Sequence, residues 1–179
     1  MSTLHVENLK GLSSGGNANK IIVPSGQTFV PSVGQIIQKA YHSWNSEATN
    51  SSETFADVSG SSFSFTPKLS TSRLFITATY QFNPYSSGFY AGGMVRIVHD
   101  GTALDYVDAK YEAYMQQQSS GTSCNFHLRQ TKCITVASGN TNARTIKLQM
   151  AKYASGTTAV RFNQSDAYYS TIVVEEVTQ

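Results

Sequence analysis

Leu74-Phe75-Ile76-Thr77-Ala78-Thr79-Tyr80-Gln81-Phe82 is the stretch on which the fold turns. Leu74, Ile76, Ala78, Tyr80 and Phe82 fall on one side of an extended backbone, and Thr77, Thr79 and Gln81 fall on the other. Such period-two alternation marks an antiparallel strand with one face in a core and one in solvent. Phe63-Ser64-Phe65-Thr66 repeats it, as does Thr145-Ile146-Lys147-Leu148-Gln149-Met150, where Ile146, Leu148 and Met150 point one way. Turn residues punctuate the runs at Thr71-Ser72, Asn83-Pro84, Ser119-Ser120-Gly121, Ser138-Gly139-Asn140 and Ser155-Gly156. Asp100-Gly101, between Val95-Arg96-Ile97-Val98 and Ala103-Leu104, predicts a hairpin, because both central residues of a type I′ turn need positive φ. Short strands with turns at this spacing predict an all-β fold, an antiparallel sandwich or barrel.

Two regions read differently. Leu104, Val107, Tyr111, Tyr114 and Met115 sit at helical spacing, yet Tyr111, Ala113 and Met115 also alternate. A helix from about Asp105 to Gln117, a strand and a surface loop all fit there. At the N-terminus, Leu4, Val6 and Leu9 form a short apolar pattern that Ser13-Ser14-Gly15-Gly16 breaks, followed by Ile21-Ile22-Val23 and Phe29-Val30. These pieces are too short to build a core, and such segments dock on something else, such as another subunit. Leu4, Val6, Leu9, Ile21 and Val23 are the candidate docking residues. A boundary near Pro31–Gly34 separates an N-terminal segment, 1–33, from a β-sandwich head, 34–179.

The bulk properties narrow the function. At 179 residues the chain suits one domain with an appendage, and that length buries roughly 70% of the unfolded surface without disulfides or metals. Charged residues are 13% of the composition, about half the usual share of roughly 25%. Hydroxyl and amide residues and tyrosine take their place. The net charge is +2, with basic residues scattered from Lys10 to Arg161 and no basic block, so nucleic acid is not an expected partner. Met1–Gly16 holds no apolar stretch of signal-peptide length, and no segment approaches the ~20 apolar residues of a membrane span. Asn50-Ser51-Ser52 and Asn163-Gln164-Ser165 match the glycosylation pattern, but without secretion these are chance matches. Cys124 and Cys133 are expected to be buried free thiols rather than a disulfide.

Gly11-Leu12-Ser13-Ser14-Gly15 matches a hydrolase nucleophile elbow, but lacks the preceding core strand and following helix which that motif requires. His5, His42, His99 and His127 form no metal-binding pair, and the cysteines lack zinc spacing. His99-Asp100 is the nearest suggestion of a catalytic pair, and the preferred reading places His99 in solvent beside its turn. Asp100, Asp105, Asp108 and Glu112 lack the glycine and spacing of a calcium loop. No paired carboxylates suggest a glycosidase. No catalytic residue, metal or cofactor is expected. The notable chemistry is tyrosine: Tyr85, Tyr90, Tyr106, Tyr111 and Tyr114 in mid-chain, and Tyr168-Tyr169 near the end. Tyrosine gives rigid amphipathic contact area at little entropic cost, and its ring stacks on the apolar faces of sugars. Cross-strand packing competes with recognition for each ring. Ser86-Ser87-Gly88 points to an exposed Pro84–Tyr90 loop, so Tyr85, Tyr90, Tyr111 and Tyr114 are the candidate ligand-binding residues.

The order of several motifs resembles the tail-fibre-like structural proteins of marine bacteriophages. Ser2-Thr3-Leu4-His5-Val6-Glu7-Asn8-Leu9 and Lys20-Ile21-Ile22-Val23-Pro24-Ser25-Gly26 are similar to their N-termini. Val33-Gly34-Gln35-Ile36-Ile37-Gln38 resembles the opening of their head domain. Thr54-Phe55-Ala56-Asp57-Val58 and Phe63-Ser64-Phe65-Thr66-Pro67, leading into Ser72-Arg73-Leu74-Phe75-Ile76, resemble their first core strands. Arg96-Ile97-Val98-His99-Asp100-Gly101-Thr102 and the closing Ser170-Thr171-Ile172-Val173-Val174-Glu175-Glu176-Val177 also fit, whereas Tyr106–Cys124 matches poorly and reads as a distal insertion. The resemblance implies a homotrimeric head, similar to the tumour-necrosis-factor-like jelly roll, on a short N-terminal stem. It also implies a virion protein assembled in the host cytoplasm, docked on other virion proteins through the stem, and touching a host-surface glycan or protein. A capsid decoration or tail structural protein binding only virion partners is the alternative, and a polysaccharide-degrading enzyme the weaker one.

Overall fold

The computed structural model describes residues 32–88, 90–104, 113–116, 124–164 and 168–179. Leu4, Val6, Leu9, Ile21, Val23 and Tyr111 lie outside the described residues, as does most of the stretch with competing helix and strand readings. Its described part, Ala113–Gln116, is a strand. No helix occurs among the described residues, so none there is long and apolar enough to cross a membrane. Val33–Gln179 forms one compact unit.

The chain is a β-sandwich of two antiparallel sheets. The first position along the chain is taken by β1 (Ile36–Trp44) and β2 (Ala48–Asn50), the second by β3 (Ala56–Asp57) and β4 (Phe63–Phe65). β5 (Arg73–Ser86) and β6 (Tyr90–His99) are third and fourth. β7 (Thr102–Ala103) and β8 (Ala113–Gln116) share the fifth, and β9 (Cys124–Asn125) and β10 (Leu128–Ala137) the sixth. β11 (Arg144–Lys152) is seventh, and β12 (Ala159–Phe162) and β13 (Ser170–Val177) close the fold. First pairs with last, second with seventh, third with sixth and fourth with fifth. That nested pairing is the winding of a jelly roll, in which a long antiparallel ribbon wraps around one core. One sheet holds β1, β2, β5, β9, β10, β12 and β13; the other holds β3, β4, β6, β7, β8 and β11.

The alternation read from the sequence is the alternation observed. Leu74, Ile76, Ala78, Tyr80 and Phe82 of β5 are fully buried, and they meet Val95 and Ile97 of β6 and Ile146, Leu148 and Met150 of β11 across the core. Phe162 stacks on Tyr80 with centroids 5.3 Å apart and meets Phe82 edge-on at 5.6 Å. Each such aromatic pair adds about 0.5–1.5 kcal/mol beyond area burial. Asp100 (φ 48°) and Gly101 (φ 80°) make the expected positive-φ turn between β6 and β7.

Three expectations are corrected. Asn83-Pro84 does not end a strand: β5 continues to Ser86, with Val160 opposite Pro84. The proline is tolerated because of where it falls. β10 leaves β5 at Leu128, opposite Phe82, and β9 resumes the same register at Asn125, opposite Tyr85. The gap in this ladder faces Asn83 and Pro84, where the ring nitrogen has no hydrogen to donate. His99 does not face solvent: it is buried beside its turn, and no hydrogen bond reaches its Nε2. The cysteines are both free, but only Cys124 is buried; Cys133 is exposed on β10.

Polar bonds close the ends of the sandwich. Glu176, fully buried on β13, accepts from the backbone N–H of Lys68 (2.8 Å) and Leu69 (2.9 Å) and from the Ser72 hydroxyl (2.7 Å). The carboxylate thereby fastens the loop before β5 to the last strand. Both glycosylation-pattern asparagines are structural. Asn50 is buried and donates to the carbonyls of Thr54 and Met150. Asn163 (φ 48°) donates toward the carbonyls of Trp44 and Ser46 and accepts from Ser170.

Candidate binding surface

The tyrosines divide between the two sheets. Residues of β5 with odd numbers face away from the core, so Tyr85 lies on the outer side of the first sheet. It is half-buried, with the Arg161 guanidinium 5.0 Å from its ring centroid. On β6 the core side belongs to Ala91, Val95 and Ile97, which puts Tyr90 on the outer side of the second sheet. The expected exposed Pro84–Tyr90 loop is therefore two strand ends joined by a tight connection, and its two tyrosines do not share a site.

Tyr90 instead joins Tyr114, a candidate from a separate segment, and Tyr153, which the sequence reading missed. The ring centroids are 6.0 Å apart for Tyr90–Tyr114, 6.4 Å for Tyr90–Tyr153 and 5.7 Å for Tyr114–Tyr153, the last pair edge-on at 88°. Tyr114 comes from β8, which pairs with β6 so that Tyr114 stands opposite Gly92. Tyr153 follows β11 and is fixed by its backbone, donating to the Gly92 carbonyl at 3.0 Å. Gly92 returns a bond from its own N–H to the Thr157 hydroxyl at 3.0 Å. Tyr114 is 42% exposed.

Glycine makes the cluster possible. A Cβ on Gly156 would stand 2.2 Å from the Tyr90 ring, so any side chain there displaces the ring. A Cβ on Gly92 would press at 3.1 Å on both the Tyr114 ring and Tyr153. Gly93 is just as constrained on the opposite face, 2.4 Å from Val160 and 2.5 Å from Phe82. The Gly92-Gly93 pair thus lets tyrosines close over one side of β6 and the core close over the other.

Beside the cluster runs a shallow groove of about 200 Å³, lined by Glu53, Met94, Lys152, Tyr153 and Ala154. Farther along the same outer face the surface is ionic. The Arg96 guanidinium covers the Phe55 ring at 4.0 Å and donates to Gln149 at 2.8 Å. Gln149 and Lys147 both donate to Asp57, at 2.7 and 2.6 Å. The Lys147 bond, helped by Gln149, holds the Asp57 carboxyl below the usual carboxylate range against the opposing effect of burial.

The outer face of the first sheet is different in kind. Across β1, β13, β5 and β10 it presents rows Ser43-Thr171-Thr79-Thr131, Tyr41-Val173-Thr77-Cys133 and Lys39-Glu175-Phe75-Thr135. Its charges in these rows are a single ion pair, Lys39–Glu175 at 2.8 Å. Tyr41 is 65% exposed and Phe75 37%.

The suspected His99–Asp100 pair does not assemble as a catalytic dyad. Asp100 Oδ1 accepts from the Thr145 N–H and Oδ2 from Arg144, each at 2.8 Å. Burial raises the Asp100 carboxyl, but the bonds from Thr145 and Arg144 outweigh it and leave it lowered. Burial pushes the His99 imidazole below its ordinary value, with Asp100 opposing and Arg144 assisting. No group of three or more metal-binding side chains occurs among the described residues.

Neither a family model nor a curated protein matches the chain. Among solved structures, dimeric latent PorU from Porphyromonas gingivalis is similar over 91% of this chain and 15% of its own, at 10% identity and a TM-score of 0.35. A likeness that slight carries no argument about fold or function.

Proposed function

We propose that this chain is a virion appendage subunit, a structural and binding module without catalysis, whose head contacts the host surface. The observation that carries the reading is the Tyr90–Tyr114–Tyr153 cluster. Three large rings stand on the solvent side of a sheet, where the core has no use for them; Tyr90 and Tyr114 are on strands, and Tyr153, just past β11, is fixed by its backbone bond to Gly92. Rigid aromatic area of this kind favours recognition. The virion setting rests on the ordered sequence resemblance.

Self-assembly is the second half of the proposal. The middle rows of the first sheet's outer face, where Lys39–Glu175 is the one ion pair and Tyr41 and Phe75 are exposed, suit contact with a second copy. The resemblance supplies the number three. The same face favours the alternative of a decoration protein that binds only virion partners, since it suits any flat protein surface. Gold-labelled antibody against the chain, imaged on purified particles, separates the two. Label at a distal tip is the expected result, and label confined to the capsid shell or the particle interior would overturn the adhesion reading.

A further inference from the structure

Resting on that reading, we infer that Tyr114 and Tyr153, with the groove lined by Glu53, Met94 and Lys152, form a binding site for a single pyranose unit of a surface glycan. Three observations point to a sugar. The first is size. A groove of about 200 Å³ falls below the roughly 300–1,000 Å³ of sites that engulf drug-sized ligands, and it is only half enclosed. It fits one ring of a chain that continues into solvent. The second is the aromatic surface. Tyr114 is 42% exposed, and Tyr153 both packs edge-on against it and lines the groove. Exposed tyrosine presents a flat apolar face of the kind that stacks on the C–H face of a pyranose, with a hydroxyl at its edge. The third is the polar complement. Glu53 and Lys152 both border the groove, so its lining is polar as well as aromatic and has no net charge to select an ion.

A protein partner is the competing occupant. Three clustered tyrosines suit one, but a small half-enclosed groove bordered by Glu53 and Lys152 adds nothing to a broad apolar contact. The scaffold is built for a fixed geometry: Tyr153 is held to Gly92 by its backbone, and Gly156 leaves room for Tyr90 only because it lacks a Cβ. Preorganised rings lose little freedom on binding.

The test uses the full chain, labelled and applied to an array of neutral and acidic bacterial polysaccharides. Binding to at least one pyranose-containing glycan is expected. Tyr114→Ala and Glu53→Gln should each weaken it at least tenfold, while Tyr114→Phe, which keeps the stacking face, should stay within about threefold of wild type. Thermal melting of each variant checks that the fold is kept. No glycan bound by the wild-type chain, or binding indifferent to Tyr114→Ala, overturns the inference. Label at the distal tip of particles together with no glycan binding would leave the proposed function standing and remove only the sugar. Glycan binding by a chain found inside the particle would do the reverse.

Discussion

At the scale of single residues, buried polar groups matter most. Glu176 satisfies three donors at once: the amides of Lys68 and Leu69 and the hydroxyl of Ser72. Removing its carboxylate strands the amides of Lys68 and Leu69, and an unsatisfied buried donor costs about 1–3 kcal/mol. Glu176→Ala is expected to destabilise the chain by about 3 kcal/mol, read from denaturant midpoints at unchanged slope. A loss below about 1 kcal/mol would mean that water takes over those amides. His99 links stability to pH. Its native ring is neutral because burial lowers its affinity for the proton. Unfolded, it titrates near its ordinary value of about 6.5. Below that pH the unfolded chain binds a proton that the native chain refuses, so stability falls as pH drops from about 6.5 toward the lowered native value and is complete above it. Urea unfolding at about pH 5 and pH 8 should show this loss, and His99→Gln should shrink the difference. An equal difference in the variant would place the pH dependence elsewhere.

Among elements, β6 is tightly constrained, since Gly92 and Gly93 let it be covered closely on both faces. Gly93→Ala puts a methyl against Val160 and Phe82 and is expected to cost about 1–3 kcal/mol as overpacking. Gly156→Ala presses on Tyr90 instead, and it should disturb ligand binding more than stability. Strand positions were legible where one face is wholly apolar and the other polar, as in Leu74–Phe82 and Thr145–Met150. β10 was not, because its inward residues are Leu128, Gln130, Lys132, Ile134 and Val136. Lys132 turns in to donate to the Val95 carbonyl, and an inward charge on an edge strand also discourages pairing with another sheet. Pro84 misled for the opposite reason: a lone turn signal was overridden by a strand that needs no donor there. The site was half legible. Tyr90 and Tyr114 were among the candidates, but β8 and the loop after β11 join only in space, so Tyr153 carried no signal in the sequence. The grouping of Tyr85 with Tyr90 failed because a tight connection sends neighbouring residues to different sheets.

For the whole molecule, the sandwich presents two unlike faces, one ionic and aromatic, the other hydroxyl-rich through its middle rows with Arg73, Arg129 and Arg161 toward its margins. The proposal assigns the first to the host and the second to copies of the chain. Light scattering on the purified protein should then give three times the 19.5 kDa chain mass, and a monomer mass would refute the assembly. Three copies, repeated over several appendages, raise effective affinity by ~10²–10⁴ without any new contact, so each site can be weak. The central claim is that the tyrosine cluster holds the chain to cells. Flow cytometry of labelled chain on susceptible host cells should show saturable binding by wild type and a loss of at least tenfold in Tyr114→Ala/Tyr153→Ala at a nearly unchanged melting temperature. Wild-type binding that the double variant retains, or no binding by wild type at all, would contradict it.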